Sequence, residues 1–98
     1  MAPLTFEVSS KDAMREVRRV IEAMPRAKIA REEPGYLHAE FRSKVFGFVD
    51  DVEFVIDEEA RRIDFRSASR VGYYDFGVNR KRMEDICRRL AEREGISR

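Results

Sequence analysis

The sequence predicts an α+β fold, in which a four- or five-stranded antiparallel sheet is held between an N-terminal and a C-terminal helix. Three observations predict it. Apolar residues recur with a helical period near each end of the chain, they alternate with a period of two in the middle, and 98 residues suffice for one hydrophobic core but not for two. We therefore expect residues 1–98 to form a single domain.

The N-terminal helix is predicted between Ser9 and Pro25. Its apolar residues follow the i, i+3, i+4, i+7 spacing of a helix that lies on a core, at Ala13, Met14, Val17, Val20, Ile21 and Met24. Ser9 and Asp12 have the spacing of a capping box, and Pro25 supplies the stop. Before the helix, apolar residues at 4, 6 and 8 alternate with polar ones, which predicts a short opening strand.

Four further strands are predicted at about 27–33, 36–43, 49–57 and 62–68. Pro34 and Gly35 are typical of a type II turn between the first two, because proline fixes φ and glycine accepts a positive φ. Ile29 points inward only if a bulge shifts the register of this hairpin.

The last two of these strands can be aligned in one register that puts every side chain on its proper face. It pairs Ile56 with Ile63, Phe54 with Phe65 and Val52 with Ser67 on the inner face. On the outer face it pairs the opposite charges of Asp57 with Arg62 and of Glu53 with Arg66.

A C-terminal helix is predicted from about Val78 to Glu94, with Gly95 at its C-cap. Its apolar side includes Cys87, which we interpret as a core residue. The predicted order of strand, helix, four strands and helix is that of half a TATA-box-binding-protein-like (TBP-like) fold, a likeness of topology that implies no function.

Composition argues against two classes of function. The 20 Lys and Arg residues are balanced by 19 Asp and Glu, and a dedicated nucleic-acid binder relies on a net basic surface. No segment approaches the roughly 18 apolar residues of a membrane span. The single cysteine cannot form an internal disulfide, so we expect a cytoplasmic protein, unless an export or anchor segment has been removed.

Charge is uneven along the middle of the chain. Residues 50–59 hold six acidic residues and no cation, whereas residues 61–82 hold seven cations and two acidic residues. Three cations fall in the predicted first turn of the C-terminal helix, where the helix dipole is already positive: Arg80, Lys81 and Arg82. Either an internal carboxylate from Asp50, Asp51 or Asp75 offsets them, or an anion binds there.

Polar side chains are also predicted at one end of the core. Asn79 and Arg82 extend the buried stripe of the C-terminal helix, and Asp50 and Ser67 lie on the inner face of their strands by alternation. Because buried polar groups must be paired, this cluster is either a structural network or the floor of a pocket. We expect Asp50 to pair with Arg70 or Arg82.

Three segments, HAEFRS (38–43), FGFVDDVEF (46–54) and FRSASRVGYYDFGVNRKRMEDI (65–86), closely resemble the bacterial and plastid family known as domain of unknown function 1499. The family pattern falls on Arg66, Ser67, Ser69, Arg70, Gly72, Asp75, Gly77, Asn79, Arg80 and Arg82, preceded by Asp50 and Asp51. Many relatives have a longer N-terminal stretch or a membrane or export segment. The resemblance implies no reaction, because the family has no established one.

The sequence disfavours several specific functional roles for single residues. No G-x-S-x-G motif surrounds Ser67 or Ser69, so a hydrolase triad with His38 is not expected. His38 has no second histidine and no cysteine at ligand spacing, so we predict a solvated strand residue and no metal site. Asp50 and Asp51 point to opposite faces of their strand and cannot readily share a proton or an ion. The aromatic residues at 73, 74 and 76 are typical of the covered end of a core, although they are also suited to stacking on a ligand.

Three hypotheses follow. The first is a non-catalytic binding module for an anionic small molecule, or for a carboxylate or phosphate group of a protein partner. Its predicted ligand-binding residues are Asp50, Arg66, Ser67, Ser69, Arg70, Asp75, Asn79, Arg80 and Arg82. The second is an enzyme that acts on a phosphorylated or carboxylated metabolite, with Asp50 or Asp75 as base. The third makes the motif purely structural and assigns protein interaction to the polar face of the sheet. No motif implies a cofactor.

Overall fold

A computed structural model describes residues 4–43, 47–69 and 76–97, with the backbone alone for Ser69 and residues 76–79. The elements along the chain are β1 (Leu4–Phe6), α1 (Ser10–Glu22), β2 (Ala27–Glu33), β3 (Tyr36–Arg42), β4 (Val49–Asp57), β5 (Arg62–Ser69), α2 (Phe76–Ala91) and β6 (Ile96–Ser97). The α+β class and the order of the predicted elements are confirmed.

The sheet has six antiparallel strands, in the order β2-β3-β4-β5-β1-β6, and not the four or five that we predicted. The additional strand β6 follows α2 and pairs with β1. The predicted TBP-like order has α2 as its last element, so the structure departs from that order here. Gly95 allows this return to the sheet. It has a φ of +86°, its carbonyl accepts a 2.8 Å hydrogen bond from the Glu7 N–H, and an added Cβ would collide with Val8. Since α2 ends at Ala91, the prediction of Gly95 as its C-cap is wrong.

The start of α1 agrees with the predicted cap. Ser9 is extended, and its Oγ accepts a 3.1 Å hydrogen bond from the backbone N–H of Asp12. The stripe of buried residues matches the predicted one except at Met24, which lies beyond the helix and packs against the core. Both helices therefore cover the sheet with the apolar side that the sequence indicates.

The strand registers explain which side chains reach the core. Gly35 has the positive φ that the predicted turn requires, at +78°. The register of β2 on β3 shifts between Ile29 and Arg31, which lets Ile29 pack against the core as anticipated. Between β4 and β5, all five predicted pairs are present, including Glu53 with Arg66 and Val52 with Ser67.

The two faces of the sheet differ in how far the helices cover them. One cluster of buried side chains joins the inner face, including Leu37, Phe54 and Ile63, to residues of both helices, and it includes Cys87 as predicted. The opposite face, which we call the outer face, carries the polar residues of β3, β4 and β5, which are partly or fully exposed in the described ranges. No helix among the described residues is long and apolar enough to cross a membrane.

Candidate functional site

The buried end of the core contains an ion pair between β4 and α2. Nη1 of Arg82 lies 2.8 Å from Oδ2 of Asp50, and the two side chains are only 12% and 10% exposed. The guanidinium also lies over the ring of Phe41, 5.1 Å from its centroid. Asp50 is thus the internal carboxylate for Arg82, and the expected pairing between them is confirmed.

The neighbouring cations of α2 have different environments. Arg80 is 78% exposed and lies 3.5 Å from Glu84, one turn along the helix, and Lys81 is exposed. Because α2 begins at Phe76, two residues before the predicted start, these cations lie in its second turn and not in its first. The helix dipole acts mainly within the first turn, so the conflict that we inferred from the sequence is weaker than expected.

The serines of β5 approach the same end of the core. Ser67 is partly buried on the inner face, opposite Val52, and the strand register places Ser69 opposite Asp50. The side chains of Ser69 and Asn79 are outside the description, as are Arg70 and Asp75 entirely. The ligand-binding role of these residues stays a prediction.

Arg66 does not join this group. It follows the alternation of β5 onto the outer face, is 76% exposed and pairs with Glu53. Oε2 of Glu53 also accepts a 2.6 Å hydrogen bond from the hydroxyl of Tyr36. The hydrogen bond from Arg66, followed by that from Tyr36, holds the pKa of Glu53 below its ordinary value, and the bond to Glu53 raises the pKa of Tyr36. Arg66 and Ser67 are successive strand residues, so alternation alone already separated them.

The outer face also holds a group that sequence reasoning missed. One ligand atom from each of His38, Glu40 and Asp51 lies within 4.8 Å of the others, and all three residues are partly buried. Nε2 of His38 is 2.6 Å from Oδ1 of Asp51. The prediction of His38 as a solvated residue without a metal site considers only histidine and cysteine partners, whereas its neighbours are carboxylates that the pairing of β3 with β4 supplies.

Two grooves lie away from the motif. An open groove of about 920 Å³ runs between the start of α1 and the β2–β3 hairpin, and Arg18 and Glu32 approach to 3.8 Å in it. A shallow one of about 140 Å³ lies beside Arg66 and Val55 on the outer face. Neither is lined by Asp50 or Arg82.

Among the described residues, fold and candidate site together give an α+β protein with a buried aspartate–arginine pair and a polar sheet face that is partly or fully exposed. Residues 1–90 match the model of a protein family of unknown function, DUF1499, and the chain belongs to that family. No curated protein and no solved structure matches the chain.

Proposed function

We propose that the domain is a non-catalytic binding module that takes a carboxylate or phosphate group, on a small molecule or on a partner protein, beside Arg82. The observation that carries the proposal is the orientation of this arginine. Its guanidinium is fixed between the carboxylate of Asp50 and the ring of Phe41 at the end of the core. A guanidinium held in place loses less entropy when it binds a planar anionic group.

A purely stabilising role explains this pair less well. Burying two charges costs several kcal/mol in desolvation, and apolar residues of similar volume usually stabilise a core as much or more. The pair is a weak contributor to net stability, but it places a planar set of donors in one orientation. Such a fork matches carboxylate and phosphate groups.

The charges around the pair favour an anion. Arg80 and Lys81 add two exposed cations in the same turn of α2, and the first turn of that helix contains no acidic residue. Ser67 lies on the inner face of β5 at this end of the sheet, opposite Val52. Ser69, Arg70, Asp75 and Asn79 remain in the proposed site as sequence-based members. The enzyme alternative requires Asp50 or Asp75 as a base, and Arg82 engages Asp50.

The test is a thermal-shift screen against phosphate, sugar phosphates, nucleotides, dicarboxylates and acidic lipid headgroups. A ligand at about 100 times its Kd adds about 2.7 kcal/mol, which raises the Tm by several degrees in a domain of this size. We expect one anion class to stabilise the wild type. Arg82→Lys, which keeps the charge but removes the fork, should bind more weakly, as should the double variant Arg80→Ala/Lys81→Ala.

Arg19→Ala is the matched control, because it removes an exposed cation from the other helix, α1. Its ligand response should equal that of the wild type. The proposal fails if no anion class shifts the Tm. It also fails if Arg19→Ala weakens binding as much as Arg82→Lys does, since net charge alone would then explain the effect.

A second candidate function is an interface on the outer face with another copy of this chain. Val55 is 46% exposed on this face, where its register partners are Tyr36 and Asp64. Its charges are of both signs, which is compatible with a copy of itself and not with a polyanion. Sedimentation over a wide concentration range should show a dimer that Val55→Arg dissociates. A wild type that stays monomeric throughout excludes this candidate.

A further inference from the structure

We propose that His38, Glu40 and Asp51 form a binding site for a divalent transition-metal ion on the outer face of the sheet. The site is independent of the proposed anion site, because Asp51 points away from the core and its neighbour Asp50 points into it. One imidazole nitrogen and two carboxylates provide the ligands.

The pairing of β3 with β4 sets two carboxylates directly opposite each other. Glu40 is the register partner of Asp51. The hydrogen bonds from Ser43 N–H to Phe48 O and from Ile56 N–H to Gly35 O fix which pairs of this ladder are hydrogen-bonded. By alternation, Glu40 and Asp51 form a non-hydrogen-bonded pair, in which side chains approach most closely.

Like charges at such a position destabilise a sheet, and a cation between them removes the repulsion. Lys28 is the register partner of Glu40 on the other side, but its side chain is exposed at the edge strand. The neighbour of Asp51 on β5 is Ala68, whose side chain carries no charge. The strand register thus brings two carboxylates together between β3 and β4.

His38 turns this acidic pair into a transition-metal site. It lies diagonally across the ladder from Asp51, and the 2.6 Å contact between Nε2 and Oδ1 already aims the imidazole at the carboxylates. An ion bound at about 2.0–2.2 Å from each donor would take the place of the proton between Nε2 and Oδ1, and these two atoms would move apart from their present 2.6 Å. Imidazole suits Zn²⁺ and similar ions, whereas Mg²⁺ and Ca²⁺ prefer oxygen ligands alone.

All three ligands approach the ion from the sheet, so its outward positions are left for water or for a group of a partner. A closed structural zinc site uses four protein ligands. A three-ligand site on a face that is partly exposed in the described ranges is instead suited to bridging to a donor from another molecule. Arg31 and Glu53, the register partners of His38, contribute opposite charges around it.

Titration of tag-free protein with Zn²⁺ by isothermal calorimetry tests the proposal. We expect one ion per chain, with affinity at least tenfold lower in His38→Ala and in Asp51→Asn. The asparagine keeps the size of the side chain and an oxygen that can accept from His38, so its effect separates metal binding from the existing contact. Asp64→Asn removes a carboxylate from the same face and should change the affinity less than twofold.

A second readout uses the fact that the sequence has a single histidine. Its imidazole NMR signals therefore belong to His38, and Zn²⁺ should shift them in parallel with the calorimetric titration. The proposal is overturned if Zn²⁺ does not bind saturably, or if it binds without moving these signals. It is also overturned if Asp64→Asn weakens binding as much as Asp51→Asn does.

Discussion

Asp50 and Asp51 are chemically identical neighbours on β4, yet they belong to two different regions of the molecule. Asp50 points to the inner face, is buried and holds Arg82 at 2.8 Å. Asp51 points to the outer face, is partly buried and lies 2.6 Å from His38. A step of one residue along a strand thus decides whether a carboxylate orders the end of a core or faces solvent with an imidazole.

The two faces also differ in the interactions that stabilise them. The inner face gains from burial of side chains such as Phe54 and Ile63, both fully buried. The outer face is linked by ion pairs and hydrogen bonds, among them Tyr36 to Glu53, that water and salt weaken. Stability should therefore reside on the inner face, and recognition has more freedom on the outer one.

The largest expected effect tests that division directly. Phe54→Ala removes a fully buried ring and should lower the free energy of unfolding by about 3–5 kcal/mol. Val55→Ala, one residue further and on the outer face, should cost less than about 1 kcal/mol. Urea unfolding measures both. Similar losses for the two variants would show that the outer face is packed against something as well.

Next in size is the effect of breaking the buried ion pair. Arg82→Ala leaves Asp50 without this partner inside the core, which should cost about 3 kcal/mol or more. The double variant Asp50→Leu/Arg82→Leu should recover most of the loss, because it removes both charges. Arg66→Ala is the outer-face control and should leave the urea midpoint nearly unchanged. If the double variant is no better than Arg82→Ala, the loss comes from shape and not from charge.

Much of the inner face could be predicted from the sequence, because several signals agreed there. In β4 and β5, apolar alternation and opposite charges indicate the same register, and the structure has it. For the β2–β3 hairpin the sequence set only a condition, that Ile29 points inward if a bulge shifts the register, and the structure has that shift. Two periodicities, one of a strand and one of a helix, placed Asp50 and Arg82 at the same end of the core; of the two partners expected for Asp50, Arg70 or Arg82, the structure shows Arg82.

The rest depended on partners that are distant in sequence. β6 has only two residues, too few for any period to show, and it forms because Gly95 turns the chain back towards β1. The group around His38 requires the register of β3 on β4, which we did not derive. Arg66 is different: it is among the predicted ligand-binding residues, although alternation and the predicted pairing with Glu53 already place it on the outer face.

The smallest expected effect concerns Asp85, which lies on the same helix as Arg82 and forms ion pairs with Arg88 and Arg89. Burial raises the pKa of Asp85, but hydrogen bonds from Arg89 and Arg88 outweigh it, and the pKa in the folded protein lies below the ordinary 3.8. A lowered folded pKa means that the contribution is complete above about pH 4 and is lost as the pH falls through the folded value. Asp85→Asn should therefore cost about 0.5 kcal/mol at pH 7 and little at the acid end. Urea unfolding of the wild type and of Asp85→Asn, from pH 7 to the acid end, measures the difference in their free energies of unfolding. If the difference in free energy of unfolding is the same where the carboxyl is protonated, packing and not charge accounts for it. The solvent side of α2 would then be stabilised in the same way as its core side.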